Sequence, residues 1–229
     1  CRKLIEKCNA TPVPFSRKEL LDFGAYVKDE NIVIKDADGS VCEICGVEDL
    51  QIPGSHNLEN ALAACAIAHF AGIDAEVIAK VLREFQGVEH RIELCNEIDG
   101  IRFVNDSKGT NPDAAIRAIE AMKRDIILIA GGYDKGASFD EFVNAFDGKV
   151  KALVLLGKTA TKIKEAAEKA GFTNTVILKD MEACVREAYR LAESGDVVLL
   201  SPACASWDMY TSFEQRGEHF KACVRELER

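Results

Sequence analysis

Beyond residue 112, short apolar runs alternate with helix-length amphipathic segments, and this alternation limits the fold more than any other feature of the sequence. Helical patterns at 114–122, 139–146, 161–170 and 182–193 each precede an apolar run, at 126–130, 152–156, 176–178 and 197–200. A last helical pattern covers 213–227. Strands joined by helices of this length run parallel, because the crossover returns the chain to the same end of the sheet. The expectation is an α/β domain with a doubly wound, mostly parallel sheet and helices on both faces.

The polar residues fall where such a sheet would use them. Ile101 and Phe103 lead into Asn105-Asp106-Ser107-Lys108-Gly109-Thr110-Asn111, and Pro112 then opens a helix, where its missing N–H costs nothing. Ile126 to Ile129 leads into Gly131-Gly132-Tyr133-Asp134-Lys135-Gly136, and Val197-Val198-Leu199-Leu200 into Ser201-Pro202-Ala203-Cys204-Ala205-Ser206-Trp207-Asp208. Parallel strands put all three ends on one edge, the carboxyl edge where open α/β sheets bind ligands. Helix capping by Thr110 or Asn111 explains one residue of the first loop, but not the acid and base beside it.

The segment before this alternation is shorter and different. Residues 24–46 read as short strands with turns at 29–31 and 36–40; 57–71 and 75–85 read as helices, the first ended by Gly72. A connector at 86–89 precedes a new strand pair, 91–98 and 101–105, turned at Asp99-Gly100. The expected division is residues 1–88 and 89–229.

The chain has 229 residues, with 29 basic and 38 acidic side chains and a net charge of −9, an acidic balance that argues against a nucleic-acid partner. No run is long and apolar enough to insert in a membrane, and no signal peptide is visible. The nine cysteines are scattered through apolar patterns and read as reduced core thiols of a cytoplasmic protein. Cys42 and Cys45 have the spacing of half a zinc site, but no second pair accompanies them, and a hairpin strand after Asp38-Gly39 is the better reading. The sequence opens at Cys1 in mid-pattern and reads as a fragment or processed form.

His90-Arg91, the three strand-end loops and Phe213-Glu214-Gln215-Arg216-Gly217 stand in an order that resembles the Mur ligase family, in its D-glutamate-adding branch. His56-Asn57-Leu58-Glu59-Asn60 before an Ala-rich helix is similar to that family's central-domain motif. Sister branches carry a Tyr-containing motif where Asn105-Asp106-Ser107-Lys108 stands. The resemblance implies that residues 1–88 are the tail of an α/β central ATP-binding domain and that 89–229 form a Rossmann-like C-terminal ligase domain. It implies joining of D-glutamate to UDP-N-acetylmuramoyl-L-alanine through an acyl phosphate, by a monomer using ATP and Mg2+.

On the same resemblance, Asn60, Arg91 and Asp106 contact ATP. Thr110, Lys135, Ser206 and Trp207 hold D-glutamate, Phe213 walls its pocket, and Lys108 and Lys135 are the catalytic cations, Lys108 serving either substrate or phosphate. No metal ligand is assigned, since those are expected upstream. The family's Gly-x-x-Gly-Lys-Thr loop has no counterpart here, so the chain alone is expected to lack turnover. Its alternative role is a non-catalytic module binding D-glutamate or nucleotide. Gly109 stands where the family often has Ala, and Trp207 where it often has Phe or Leu. The short connector at 86–89 is expected to serve as a hinge for domain closure.

Two rival readings arise from the residues. A nicotinamide-dependent oxidoreductase fits the fold class, but Gly131-Gly132 with Gly136 is not Gly-x-Gly-x-x-Gly. Cys204 at a strand end invites a nucleophile role, but no partner base is evident.

Overall fold

The computed structural model describes residues 9–228, and the chain divides into two compact units, residues 1–86 and 87–229. In the first unit, β1 (Phe15–Ser16) pairs parallel with β2 (Gly24–Lys28), followed by antiparallel β3 (Asn31–Lys35) and β4 (Val41–Gly46). Helices α1 (Ser55–Phe70) and α2 (Ala75–Glu84) cover one face, burying Ile32, Ile34 and Ile44 against Leu62, Cys65 and Ile78. Cys42 and Cys45 lie on β4, the second strand of the expected hairpin.

The second unit is built on a six-stranded sheet in the order β5-β6-β10-β7-β8-β9. Its strands are β5 (Glu93–Ile98), β6 (Ile101–Asn105), β7 (Ile126–Ala130), β8 (Val150–Leu155), β9 (Thr175–Ile177) and β10 (Val197–Leu200). All pairings are parallel except β5 with β6. That hairpin turns at Asp99 (φ 51°) and Gly100 (φ 78°), the left-handed pair that a two-residue turn requires.

Side chains of a strand point alternately to the two faces, and the core divides accordingly. Val104, Leu128, Leu153 and Leu199 pack with Ala115 and Ile119 of α3 (Pro112–Ala121), Phe142 of α4 (Asp140–Asn144) and Ile163 of α5 (Ala160–Lys169). Phe103, Ile127, Val154 and Val198 pack on the other face with Met181 and Val185 of α6 (Met181–Leu191) and Phe220 and Val224 of α7 (Phe213–Glu226). The doubly wound α/β reading therefore holds.

Two boundaries differ from the sequence reading, each for a local reason. Strand β5 starts at Glu93 because His90 (φ 64°) and Ile92 (φ 48°) are left-handed and break the extended run. Helix α4 ends at Asn144, shorter than its apolar pattern, before the turn that contains left-handed Asp147 and Gly148. Among the described residues no helix is long and apolar enough to cross a membrane.

Leu199 lies on the wholly buried central strand β10, so its truncation opens a cavity in the face shared with Val104, Leu128 and Leu153. Leu199→Ala is expected to lower the unfolding free energy by about 2 to 5 kcal/mol, read as a reduced urea midpoint at unchanged slope.

Candidate active site

The strand order determines the site. Leu200 is in register with Asn105 on one side and Ile129 on the other, so the loops after β6, β10 and β7 leave the sheet side by side. Each loop is fixed by backbone bonds before any side chain acts. Asp106 N–H donates to Leu200 O (2.7 Å), Gly131 N–H to Pro202 O (2.9 Å) and Tyr133 N–H to Ala205 O (2.8 Å).

In the first loop, Asn111 caps α3 by accepting from Ala114 N–H (2.9 Å), with Pro112 in the first turn. Asp106 is turned inward: it is 4% exposed, and its Oδ2 accepts from Ser201 Oγ at 2.7 Å. Burial pushes its carboxyl up to about 6; the Ser201 hydroxyl, Ile92 N–H, Arg91 and Arg216 offset only part of that effect. A Cβ at residue 109 would press into Asp106 Oδ2 and lie 2.9 Å from Ser201 Oγ. Gly109 therefore permits this pose.

Arg216 fastens the edge from below. It lies on α7 at the inward stripe shared with Gly217, Phe220 and Val224, and is 2% exposed. Its Nε donates to Ser107 Oγ (3.0 Å), Nη2 to Ser107 O (2.7 Å) and Nη1 to Cys204 O (3.0 Å). Ser107 Oγ in turn donates to Phe213 O (2.8 Å). One guanidinium thus ties the β6 loop, the β10 loop and the start of α7. Burial pulls its pKa down to about 10, still far above neutral.

His90 supports the same loop from the connector side. Its backbone O accepts from Lys108 N–H (3.0 Å), its Nδ1 lies 3.0 Å from Asn105 Nδ2, and its ring meets Phe213 edge-on at 6.1 Å.

The chain matches the family description "Mur ligase, glutamate ligase domain" over residues 90–204, a stretch that contains the loops after β6 and β7 and the start of the loop after β10. The chain belongs to the Mur ligase family. It is 56% identical over 228 residues to the UDP-N-acetylmuramoylalanine–D-glutamate ligase of Thermoanaerobacter sp. (strain X514), and 50% identical over 226 residues to that of Clostridioides difficile (strain 630). In both cases 99% of this chain and 50% of the relative are covered, so the chain spans about half the length of the curated relatives it matches. Solved structures share the fold at low identity. The UDP-N-acetylmuramate-alanine ligase of Thermotoga maritima gives a TM-score of 0.68 at 17% identity, covering 94% of this chain and 48% of that one. E. coli FolC gives 0.68 at 16% identity, covering 100% and 51%.

In this Mur ligase chain the implied site residues fall into distinct groups. Lys108 is exposed, with Nζ 5.5 Å from the centre of the Phe213 ring. Thr110 is half-buried between it and the cap of α3. Ser206 is buried; Trp207 is 63% exposed, and its ring centre lies 5.7 Å from that of Tyr133. Lys135 is exposed two residues beyond Tyr133, without a hydrogen-bond or ion-pair partner among the described residues. Arg91 is exposed and acts on Asp106 through its charge. Asn60 belongs to the first unit, on α1, and donates to Asn57 Oδ1 (3.3 Å).

Other candidates have a simpler explanation. Burial pushes the Cys204 thiol up to about 11, despite Thr159 Oγ1 at 3.2 Å and nearby Arg216, so it is no thiolate nucleophile at neutral pH. Glu89, His90 and Glu218 are spaced for a metal ion, but Lys221 Nζ already bonds Glu89 and Glu218. A groove of about 430 Å³ beside Gly136 and Phe139 contains Lys162 and Lys169, which pair with Asp134 and Asp140.

Sequence reasoning misses Arg216, Ser107 and Ser201. The available signal for Arg216 was a charged residue on an otherwise apolar helical stripe, which demands buried acceptors.

Asp106 has a higher pKa folded than unfolded, so the folded state holds an extra proton between about pH 4 and 6, and stability falls as pH rises through that window. Asp106→Asn is expected to flatten this dependence and to raise stability above pH 7 by roughly 2 kcal/mol. Urea midpoints at pH 4.5 and 7.5 for both proteins check it; parallel curves would refute it.

Proposed function

We propose that this chain is the amino-acid-accepting half of an ATP-dependent ligase that joins D-glutamate to UDP-N-acetylmuramoyl-L-alanine in cytoplasmic peptidoglycan precursor synthesis. The observation that carries the reading is the adjacency of the three polar strand ends, with two exposed lysines on a pinned edge. The names of the relatives at 46–56% identity support the substrate choice.

The chemistry matches the residue types. Joining an amine to a carboxylate needs an electrophile better than the carboxylate, and ATP with Mg2+ supplies it by placing a phosphoryl group on the L-alanyl carboxylate. The D-glutamate nitrogen then attacks the acyl carbon, forming C–N as the C–O bond to phosphate breaks. D-Glutamate presents two carboxylates and must offer a neutral amine, so cations have to stand away from the nitrogen. Lys135 takes one carboxylate; Thr110, Ser206 and the backbone N–H groups near Trp207 take the other. Phe213 walls the pocket, and its ring lies against Lys108, which stabilises charge on either the phosphate or the substrate.

The nucleotide contacts are Arg91 and the outer edge of Asp106, with Asn60 at the adenine end. The fit is partial: Asp106 is buried and already accepts from Ser201 and from Ile92 N–H, so a ribose hydroxyl would reach it as a further donor. No Gly-x-x-Gly-Lys-Thr loop occurs in the sequence, and with about half a relative's length the chain alone is expected to bind without turnover.

Phosphate release with ATP, Mg2+, UDP-N-acetylmuramoyl-L-alanine and D-glutamate tests this on the chain alone and on a chimera carrying the upstream half of the Thermoanaerobacter relative. Release is expected only in the chimera and only with the D enantiomer. Lys135→Ala in the chimera should raise KM for D-glutamate about tenfold or more while KM for ATP holds, the loss of one charged hydrogen bond. A chimera that is silent, or indifferent to the choice of amino acid, would overturn the assignment.

A further inference from the structure

Ser206 and Trp207 sit in a long loop between β10 and α7, yet the proposed pocket needs them at fixed positions. Backbone bonds close the segment on itself, with Met209 N–H (3.1 Å) and Tyr210 N–H (2.8 Å) both donating to Ser206 O. A closed turn still has to be attached to something rigid. The point of attachment is Asp208, whose Oδ2 accepts from Lys158 N–H at 2.9 Å.

Lys158 stands at the turn from β8 into α5, within Gly157-Lys158-Thr159. That tripeptide ends the phosphate-binding loops of nucleotide enzymes, where a strand-to-helix turn presents free N–H groups to an anion. Here the anion is internal. Gly157 is left-handed (φ 77°), and a Cβ on it would lie 2.5 Å from Asp208 Oδ2 and 2.9 Å from Gly132 Cα. Thr159, buried, is equally committed: its Oγ1 accepts from Gly132 N–H (3.0 Å), donates to Gly132 O (3.1 Å) and touches Cys204 Sγ (3.2 Å). The β8–α5 turn therefore grips the β7 loop through Thr159 and the β10 loop through Asp208.

We propose that Asp208 is a positioning residue for the amino-acid pocket: its carboxylate, seated on the β8–α5 turn, fixes the Ser206-Trp207 segment. It follows that Gly157-Lys158-Thr159 takes no nucleotide phosphate. The link to D-glutamate rests on the proposed function; the anchor itself does not.

Trp207 is the chain's one tryptophan and is largely exposed, so its fluorescence reports this segment alone. In residues 1–229 without ligand, Asp208→Ala and Gly157→Ala are each expected to raise acrylamide quenching of Trp207 and lower its anisotropy. Asp208→Asn keeps an acceptor without the charge and should fall between, and it serves where a harsher variant does not fold. Unchanged quenching in Asp208 variants that are folded by circular dichroism would overturn the anchor. Titration with D-glutamate on the same signal separates the two readings. The variants are expected to weaken binding about tenfold, and equal affinity would overturn the positioning role. A wild-type chain blind to D-glutamate would count against the proposed function, while quenching alone decides the anchor.

Discussion

A buried guanidinium with no ion-pair partner among the described residues holds the candidate site together. Arg216 gives its three directed donors to neutral oxygens, two of them backbone carbonyls from different loops. Burying an unpaired cation is costly, and only a planar fork that places several bonds at once offsets the cost. Arg216 stands beneath loops that carry Lys108 and Lys135, with Asp106 and Asp208 close enough to act on its charge.

The buried carboxylate works in the opposite sense. Asp106 is drawn inward by Ser201 and by the space left at Gly109, so it joins β6 to β10 at the level where the loops begin. Asp208 does the same between β10 and β8. Asp106, Asp208 and Arg216 therefore tie the loops to one another inside, while Lys108 and Lys135 face outward. That division of labour explains why a loop as polar as residues 105–111 is mostly buried rather than solvated.

Much of this was legible from the order of residue types. Alternating apolar runs and amphipathic helices dictate a parallel sheet, and three runs ending in Gly, Ser, Lys and Asp dictate a common edge. Neighbourhood was not legible: nothing local tells that β10 inserts between β6 and β7, because register is a property of the assembled sheet. The inward turn of Asp106 was hidden for the same reason, since its partner Ser201 lies 95 positions away. A carboxyl beside hydroxyls in sequence looks like a ligand for sugar hydroxyls. In space one hydroxyl that reaches it belongs to the protein.

The place of β10 bears on how the protein is made. It follows the other five strands of its sheet in sequence, yet it lies between β6 and β7, which are synthesised much earlier. Until residues 197–200 leave the ribosome, β6 and β7 have no neighbour across that gap, and Arg216 follows later still. The lysine-bearing loops thus acquire their final positions only after β10 and α7 have emerged, a high-contact-order closure that slows folding. A chain cut before α7 would retain most of the core residues and the backbone bonds between the loops but lose the Arg216 tie, which makes α7 the last element the site needs.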